Sequence, residues 1–204
     1  MPTSSGQRVS PGGETLSDRS PKLVGILALQ GDFEAHAKIM RSLAAQAREV
    51  RVPADLEGLD ALIIPGGEST VMTLGIEREG LAEPLRALVR AGTPVLGTCA
   101  GMIMLDREHL GLLDVRTRRN AFGRQVRSFE ADIDLDGVQG GPMHAVFIRA
   151  PWVAEHGPEV DVLGRIEEHP VAIRQGNVLA VSFHPELAGD PRLHELLLGM
   201  NGRR

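Results

Sequence analysis

The sequence predicts an α/β fold: a mainly parallel, doubly wound sheet with an antiparallel flank. Three observations predict it. Short, unbroken apolar runs alternate with helix-period segments through the first half. Alternating apolar and polar runs, punctuated by Gly, Pro and acidic turns, fill the second half. The conspicuous glycine-containing loops follow the ends of apolar runs, where open parallel sheets place their ligands.

In order, residues 1–20 (MPTSSGQRVSPGGETLSDRS) are rich in Ser, Gly and Pro and nearly free of large apolar side chains, so they are expected to form a disordered tail. LVGILAL (23–29), closed by Gly31, reads as a strand buried on both faces. Residues 34–46 repeat Ala35, Ile39 and Leu43 on one helical face. Residues 48–52 and 59–67 are the next two strands, and 81–92 is a helix stopped by Gly92. TPVLGTC (93–99) is a fourth buried strand, with a helix expected over 102–110. The runs VRSFEADIDLDG, MHAVFIRA, VDVLGRIEE, PVAIRQ and NVLAVSF read as antiparallel strands that extend the sheet. A helix over 190–200 closes the domain, with Asp190 as N-cap and Pro191 at its first position. The expected organisation is a tail at 1–20, one domain at 21–200 and a frayed end at 201–204.

The bulk properties exclude several classes. At 204 residues and 42% apolar the chain supports one ordinary core. A net charge of −5 does not favour nucleic acid or anionic lipid as a partner. No apolar stretch approaches the ~20 residues of a membrane span. A single cysteine and the lack of a signal-peptide layout suit the cytoplasm.

That cysteine, Cys99, lies in GTCAG (97–101), the G-x-S-x-G elbow pattern with Cys for Ser. A lone Cys is more often buried and inert, but here a strand precedes it and a helix follows. Small neighbours permit a sharp turn that exposes the sulfur, and the helix start supplies N–H groups that favour a thiolate and an oxyanion. A thiol nucleophile needs a base. Of seven histidines, only His184 follows a buried strand and has a carboxylate, Glu186, two residues on. In extended backbone, held by Pro185, both side chains point one way, so Glu186 orients the imidazole toward Cys99. His109, His144, His156 and His194 read as ordinary surface or core residues. PGGEST (65–70) lacks the Lys of a phosphate-binding loop. Its glycines suit close backbone approach, and the N–H groups of Gly67 and Ala100 are the candidate oxyanion donors. A plain turn before a helix capped by Ser69 or Thr70 explains the same stretch equally well. Arg119 and Arg149 are candidate clamps for a substrate carboxylate. No metal-ligand spacing is visible, and no cofactor is expected.

Taken together, LALQGD (27–32), PGGEST, GTCAGM (97–102), RRNAFGRQ with the SFE that follows (118–130), VFIRAP (146–151) and SFHPEL (182–187) resemble one family over about 180 residues. It is the glutaminase subunit of pyridoxal 5′-phosphate synthase, a class I, triad-type glutamine amidotransferase. The resemblance implies a flavodoxin-like three-layer sandwich and a Cys99–His184–Glu186 triad. It also implies glutamine contacts from Gly67, Glu68, Ser69, Arg119, Ile148 and Arg149. The implied reaction releases glutamate and ammonia, the ammonia passing through a channel to a barrel-type synthase subunit in a hetero-oligomer. That partner builds pyridoxal 5′-phosphate from a pentose phosphate and a triose phosphate. The sequence departs from the family in its tail and in a short stretch between Leu105 and Leu110. Two other readings compete: a redox-sensing or chaperone-like protein of the same fold, and a stand-alone glutamyl hydrolase.

Overall fold

The computed structural model describes residues 20–119 and 128–200; the expectations for residues 1–19, 120–127 and 201–204 lie outside the described residues. The first half alternates as β1 (Leu23–Leu27), α1 (Phe33–Ser42), β2 (Gln46–Val50), β3 (Ala61–Ile64), α2 (Ser69–Arg78), α3 (Ala82–Arg90), β4 (Val95–Thr98) and α4 (Ala100–Leu105). The second half contains β5 (Val115–Arg118), β6 (Ser128–Ile133), β7 (Met143–Ile148), β8 (Trp152–His156), β9 (Asp161–Ile166), β10 (His169–Gln175) and β11 (Val178–Val181). Two helices close it, α5 (Pro185–Ala188) and α6 (Arg192–Gly199).

The main sheet has the order β2-β1-β3-β4-β11-β10-β9. Its first five strands are parallel, the strand order of the flavodoxin-like sheet. β10 and β9 add an antiparallel flank. Successive residues on the central strands feed opposite faces. Leu27, Leu62 and Ile64 pack with Met72, Leu85 and Met102 of α2, α3 and α4. Ile26, Ile63 and Leu96 pack with Met40, Phe147, Leu193 and Leu197 on the other side. The result is a three-layer sandwich.

The structure corrects several details of the sequence reading. The run NVLAVSF is not antiparallel throughout, because β11 lies parallel to β4. All four of its residues are buried, as a strand covered on both faces requires. The runs that give β6 and β7 do not extend the main sheet; they form a separate ribbon, as do β5 and β8. β6 and β7 bury alternate residues, so they have one core-facing side and lie over the sheet rather than within it. The helical face read at Ala35, Ile39 and Leu43 is displaced. The buried positions are His36, Ala37, Ile39 and Met40, and Leu43 is already the C-cap. The last helix begins one residue late: Pro191 is the N-cap, while Asp190 accepts the Arg192 N–H and grips its guanidinium.

Candidate functional site

The loops after β1, β3, β4 and β11 converge at the carboxyl edge of the sheet. They line a cavity of about 300 Å³ with Gln30, Gly67, Glu68, Ser69, Cys99, Ala100, Ile103, Arg119, Ile148, Arg149 and His184. A larger cavity, about 570 Å³, lies near the opposite edge beside Gly92, Leu112 and Asn177 and contains none of these loop residues.

Cys99 sits at the bend between β4 and α4 with φ 49° and ψ −109°. That is a strained conformation for a residue with a side chain, of the kind stored at functional sites. The flanking glycines act through packing. A Cβ on Gly101 would lie 1.9 Å from the Ile64 carbonyl oxygen, and one on Gly97 would lie 2.6 Å from Leu105 Cδ1. Both glycines therefore let α4 press against β3 and β4, and this contact holds the bend. The Cys99 Sγ lies 3.8 Å from the Ile148 carbonyl oxygen, a sulfur hydrogen bond.

His184 and Cys99 line the same cavity, a Cβ on Gly66 would touch both side chains, and the His184 Nδ1 donates to Glu186 Oε1 at 2.6 Å. The structure thus brings Cys99, His184 and Glu186 together, by a route that the sequence reading had wrong. Pro185 does not continue an extended segment; it opens the short helix α5, and Glu186 sits in its first turn. Burial opposes a charge on His184, but hydrogen bonds to Cys99 and Glu186 and their negative charge outweigh it and raise its pKa to about 10. At neutral pH the ring that shares the cavity with Cys99 is therefore an imidazolium.

The glycine loop is braced from three sides. The Gly66 N–H donates to Thr98 Oγ1 at 3.1 Å, and the Glu68 N–H donates to Gln30 Oε1. A Cβ on Gly66 would lie 2.4 Å from the His184 ring, so only glycine admits the imidazole there. The helix after this loop is capped neither by Ser69 nor by Thr70. Glu68 is the N-cap, and its carboxylate accepts the Thr70 and Val71 N–H groups. Those two bonds, Thr70 first, hold its pKa below the ordinary value. The Ser69 hydroxyl instead receives Arg119 Nη1 at 2.7 Å, which stations that guanidinium over the start of α2. Ile148 and Arg149 reach the cavity from the end of β7, where Arg149 has a positive φ of 46°. Ala100, buried, opens α4 directly after the sulfur.

Three residues of the site escaped the sequence reading as individuals. Gln30, inside the quoted QGD, braces Glu68. Thr98, the residue before the nucleophile, braces Gly66. His36 lies 3.3 Å from Glu186 Oε2 through its Nε2. The available signal for His36 was its place on the buried stripe of α1 among Ala37, Ile39 and Met40, where a lone polar residue demands a partner. The region between Leu105 and Leu110, short for the resembled family, is well tied. Asp106 accepts from Glu108 and His109 through one oxygen and from Thr117 through the other, closing α4.

Comparison with known proteins agrees with this fold. Residues 26–201 match the SNO glutamine amidotransferase family. The chain is 54% identical over 184 residues to a pyridoxal 5′-phosphate synthase subunit PdxT of Frankia alni, covering 86% of this chain and 92% of that one. It is 52% identical over 200 residues to PdxT of Acidothermus cellulolyticus, covering 91% and 96%. A crystal structure of a glutamine amidotransferase, 48% identical, superposes with a TM-score of 0.81 over 86% of this chain and 97% of that one. PurLQS of Thermotoga maritima, 17% identical, shares the fold with a TM-score of 0.66, covering 89% of this chain and 99% of that one. By sequence and by architecture, this chain belongs to the SNO glutamine amidotransferase family.

Proposed function

We propose that the chain is the glutaminase subunit of a pyridoxal 5′-phosphate synthase, hydrolysing L-glutamine to L-glutamate and ammonia in the cytoplasm. The observation that carries the reading is that Cys99 and His184, the latter backed by Glu186 at 2.6 Å, line one cavity together with two arginines. The names of the PdxT relatives support the pathway. Among the described residues no helix is long and apolar enough to cross a membrane.

In this reading Arg149 holds the substrate α-carboxylate and Arg119 steadies the loop of Ser69. The Cys99 thiolate attacks the side-chain amide carbon, and the negative charge moves to the amide oxygen. The N–H groups of Gly67 and Ala100 receive that oxyanion. The tetrahedral intermediate collapses as the His184 imidazolium donates its proton to the amide nitrogen, and ammonia leaves. A γ-glutamyl thioester remains. His184, now neutral, takes a proton from water as the water attacks the thioester carbon. Glutamate departs, and the thiolate–imidazolium pair is restored. The ammonia passes to a barrel-type synthase subunit in a hetero-oligomer.

The test is glutamate release from glutamine by the purified chain, alone and with the synthase subunit. Cys99→Ala should abolish it without unfolding the protein, and a glutamine-analogue electrophile should label Cys99. Turnover retained by the alanine variant would sink the reading.

A further inference from the structure

Behind the triad lies a buried polar cluster that the acyl-transfer steps leave unused. Glu186 gives Oε1 to His184. Its Oε2 is buried and receives no well-aligned hydrogen bond among the described residues. The ring nitrogen beside it is His36 Nε2, at 3.3 Å. His36, fully buried on α1, sets its Nδ1 2.9 Å from Nε2 of His194, fully buried on α6. Its Nε2 also lies 3.2 Å from Thr98 Oγ1, the hydroxyl that receives the Gly66 N–H. One ring thus touches both the triad carboxylate and the brace of the glycine loop.

Counting donors and acceptors places the protons. A buried carboxylate oxygen can only accept, and leaving it unmet costs more than leaving a neutral ring nitrogen unmet. The His36 proton therefore belongs on Nε2, directed between Thr98 Oγ1 and Glu186 Oε2. His36 Nδ1 then accepts from His194 Nε2–H. This assignment leaves bare the His194 Nδ1, which has no well-aligned donor and lies by the Asp190 backbone, and leaves the Thr98 hydroxyl proton without an acceptor among the described residues; both groups are uncharged. Neither ring relieves this by becoming a cation. Burial, then the proximity of His194 and His184, holds the His36 pKa well below its ordinary value. Burial, against the opposing pull of Asp190, holds that of His194 at about 4.

We propose that His36, locked by His194 with its proton on Nε2, is a positioning residue that sets the triad carboxylate and, through Thr98, the Gly66 end of the glycine loop. The proposal rests on the glutaminase reading of Cys99, His184 and Glu186. Without the His36 donor the Glu186 carboxylate is free to turn, and its 2.6 Å hold on the His184 imidazolium loosens. The sulfur then loses its counter-charge.

The test uses the full chain and needs no glutamine. In the wild type, nitrogen-15 imidazole spectra should show His36 protonated at Nε2 and bare at Nδ1; the opposite tautomer, or a doubly protonated ring, would overturn the proposal. The pH dependence of iodoacetamide alkylation reports Cys99 alone, because it is the only thiol. His36→Leu should raise the alkylation midpoint by about one pH unit, the scale of one charge-assisted hydrogen bond. His36→Gln, whose amide N–H falls near the Nε2 position, should restore it. His36→Asn, whose amide falls near Nδ1, should not. Equal midpoints in folded Gln and Asn variants, or an unmoved midpoint in a folded Leu variant, would count against the role. Should wild type release no glutamate even with the synthase subunit added, while the tautomer and the shifts appear as stated, the glutaminase reading fails and the positioning role stands.

Discussion

Cys99 carries its positive φ without being glycine, and the surrounding contacts, rather than its own preferences, keep it there. The chemistry depends on its neighbours in a graded way. In the proposed reaction His184 handles the proton, so His184→Ala should lower glutamine turnover by roughly 10²–10⁴-fold. Glu186→Gln retains an oxygen that can accept from Nδ1 and should cost less; ranking the two variants by turnover tests the assigned roles, and a harmless His184→Ala would mean the wrong histidine. Arg149→Ala should raise KM by about tenfold or more with a smaller loss in kcat, since a carboxylate clamp acts equally in ground and transition states. A loss confined to kcat would reassign the arginine to loop shaping. The histidines also make opposite predictions for stability. His184 has a folded pKa of about 10 against 6.5, so its contribution is complete below pH 6.5 and is lost as pH rises toward 10. His194 has a folded pKa of about 4 against 6.5, so its contribution is present above pH 6.5 and is lost as pH falls toward 4, on the order of 3 kcal/mol. Urea midpoints measured from pH 7 to 4 should fall, and His194→Gln should flatten the slope.

Among the elements, the packing of α4 on β3 decides where the sulfur lies. Gly101→Ala would set a methyl 1.9 Å from the Ile64 carbonyl oxygen, a backbone atom that cannot swing aside. The helix must lift, at about 1–3 kcal/mol in stability, and the elbow moves with it, so thermal melting and glutamate release should fall together. The turn after β1 behaves differently. Gly31 is exposed, with φ 99°, and a Cβ there would lie 1.7 Å from the Gly66 carbonyl oxygen. Gly31→Ala should therefore displace the glycine loop and reduce turnover by a larger factor than its effect on melting suggests. Equal wild-type turnover in Gly31→Ala would show that the loop tolerates the displacement.

At the scale of the molecule, that contact suggests how a partner controls the site. The Gly66 carbonyl faces Gly31, and in a trans peptide the Gly67 N–H faces the opposite way. Rotation of this peptide, cheap between two glycines, would reposition the Gly67 N–H, the proposed oxyanion donor. The exposed large apolar side chains Val52, Val71, Leu74, Ile148 and Leu187 belong to segments that follow β2, β3 and β11 or end β7, on the side where a synthase subunit would dock. Docking near residues 30–32 would then select the donor-in state. Losing one oxyanion donor costs about a hundredfold or more, so the isolated chain should be sluggish, and adding the synthase subunit should raise glutamate production by that order. Full activity alone, unchanged by the partner, would rule out gating and favour a stand-alone hydrolase.

The sequence by itself determined the sheet class, the bend at Cys99 and the pairing of His184 with Glu186, because these are local. Buried runs such as 95–98 and 178–181 mark central strands, glycines at fixed spacing mark a tight contact, and a carboxylate two residues from a histidine is near it in almost any backbone. The tertiary structure alone decided what depends on pairing distant segments. β11 joins β4 in parallel, and β6 and β7 leave the main sheet as a ribbon, since strand partners are chosen by burial on both faces and not by the alternation within one run. Glu68 caps α2 instead of Ser69 or Thr70, because the loop path puts its carboxylate over two free N–H groups. His36 meets Glu186 across 150 residues, and His194 across 158. No local pattern encodes such a contact; it exists because α1, α5 and α6 pack on one face of the same sheet.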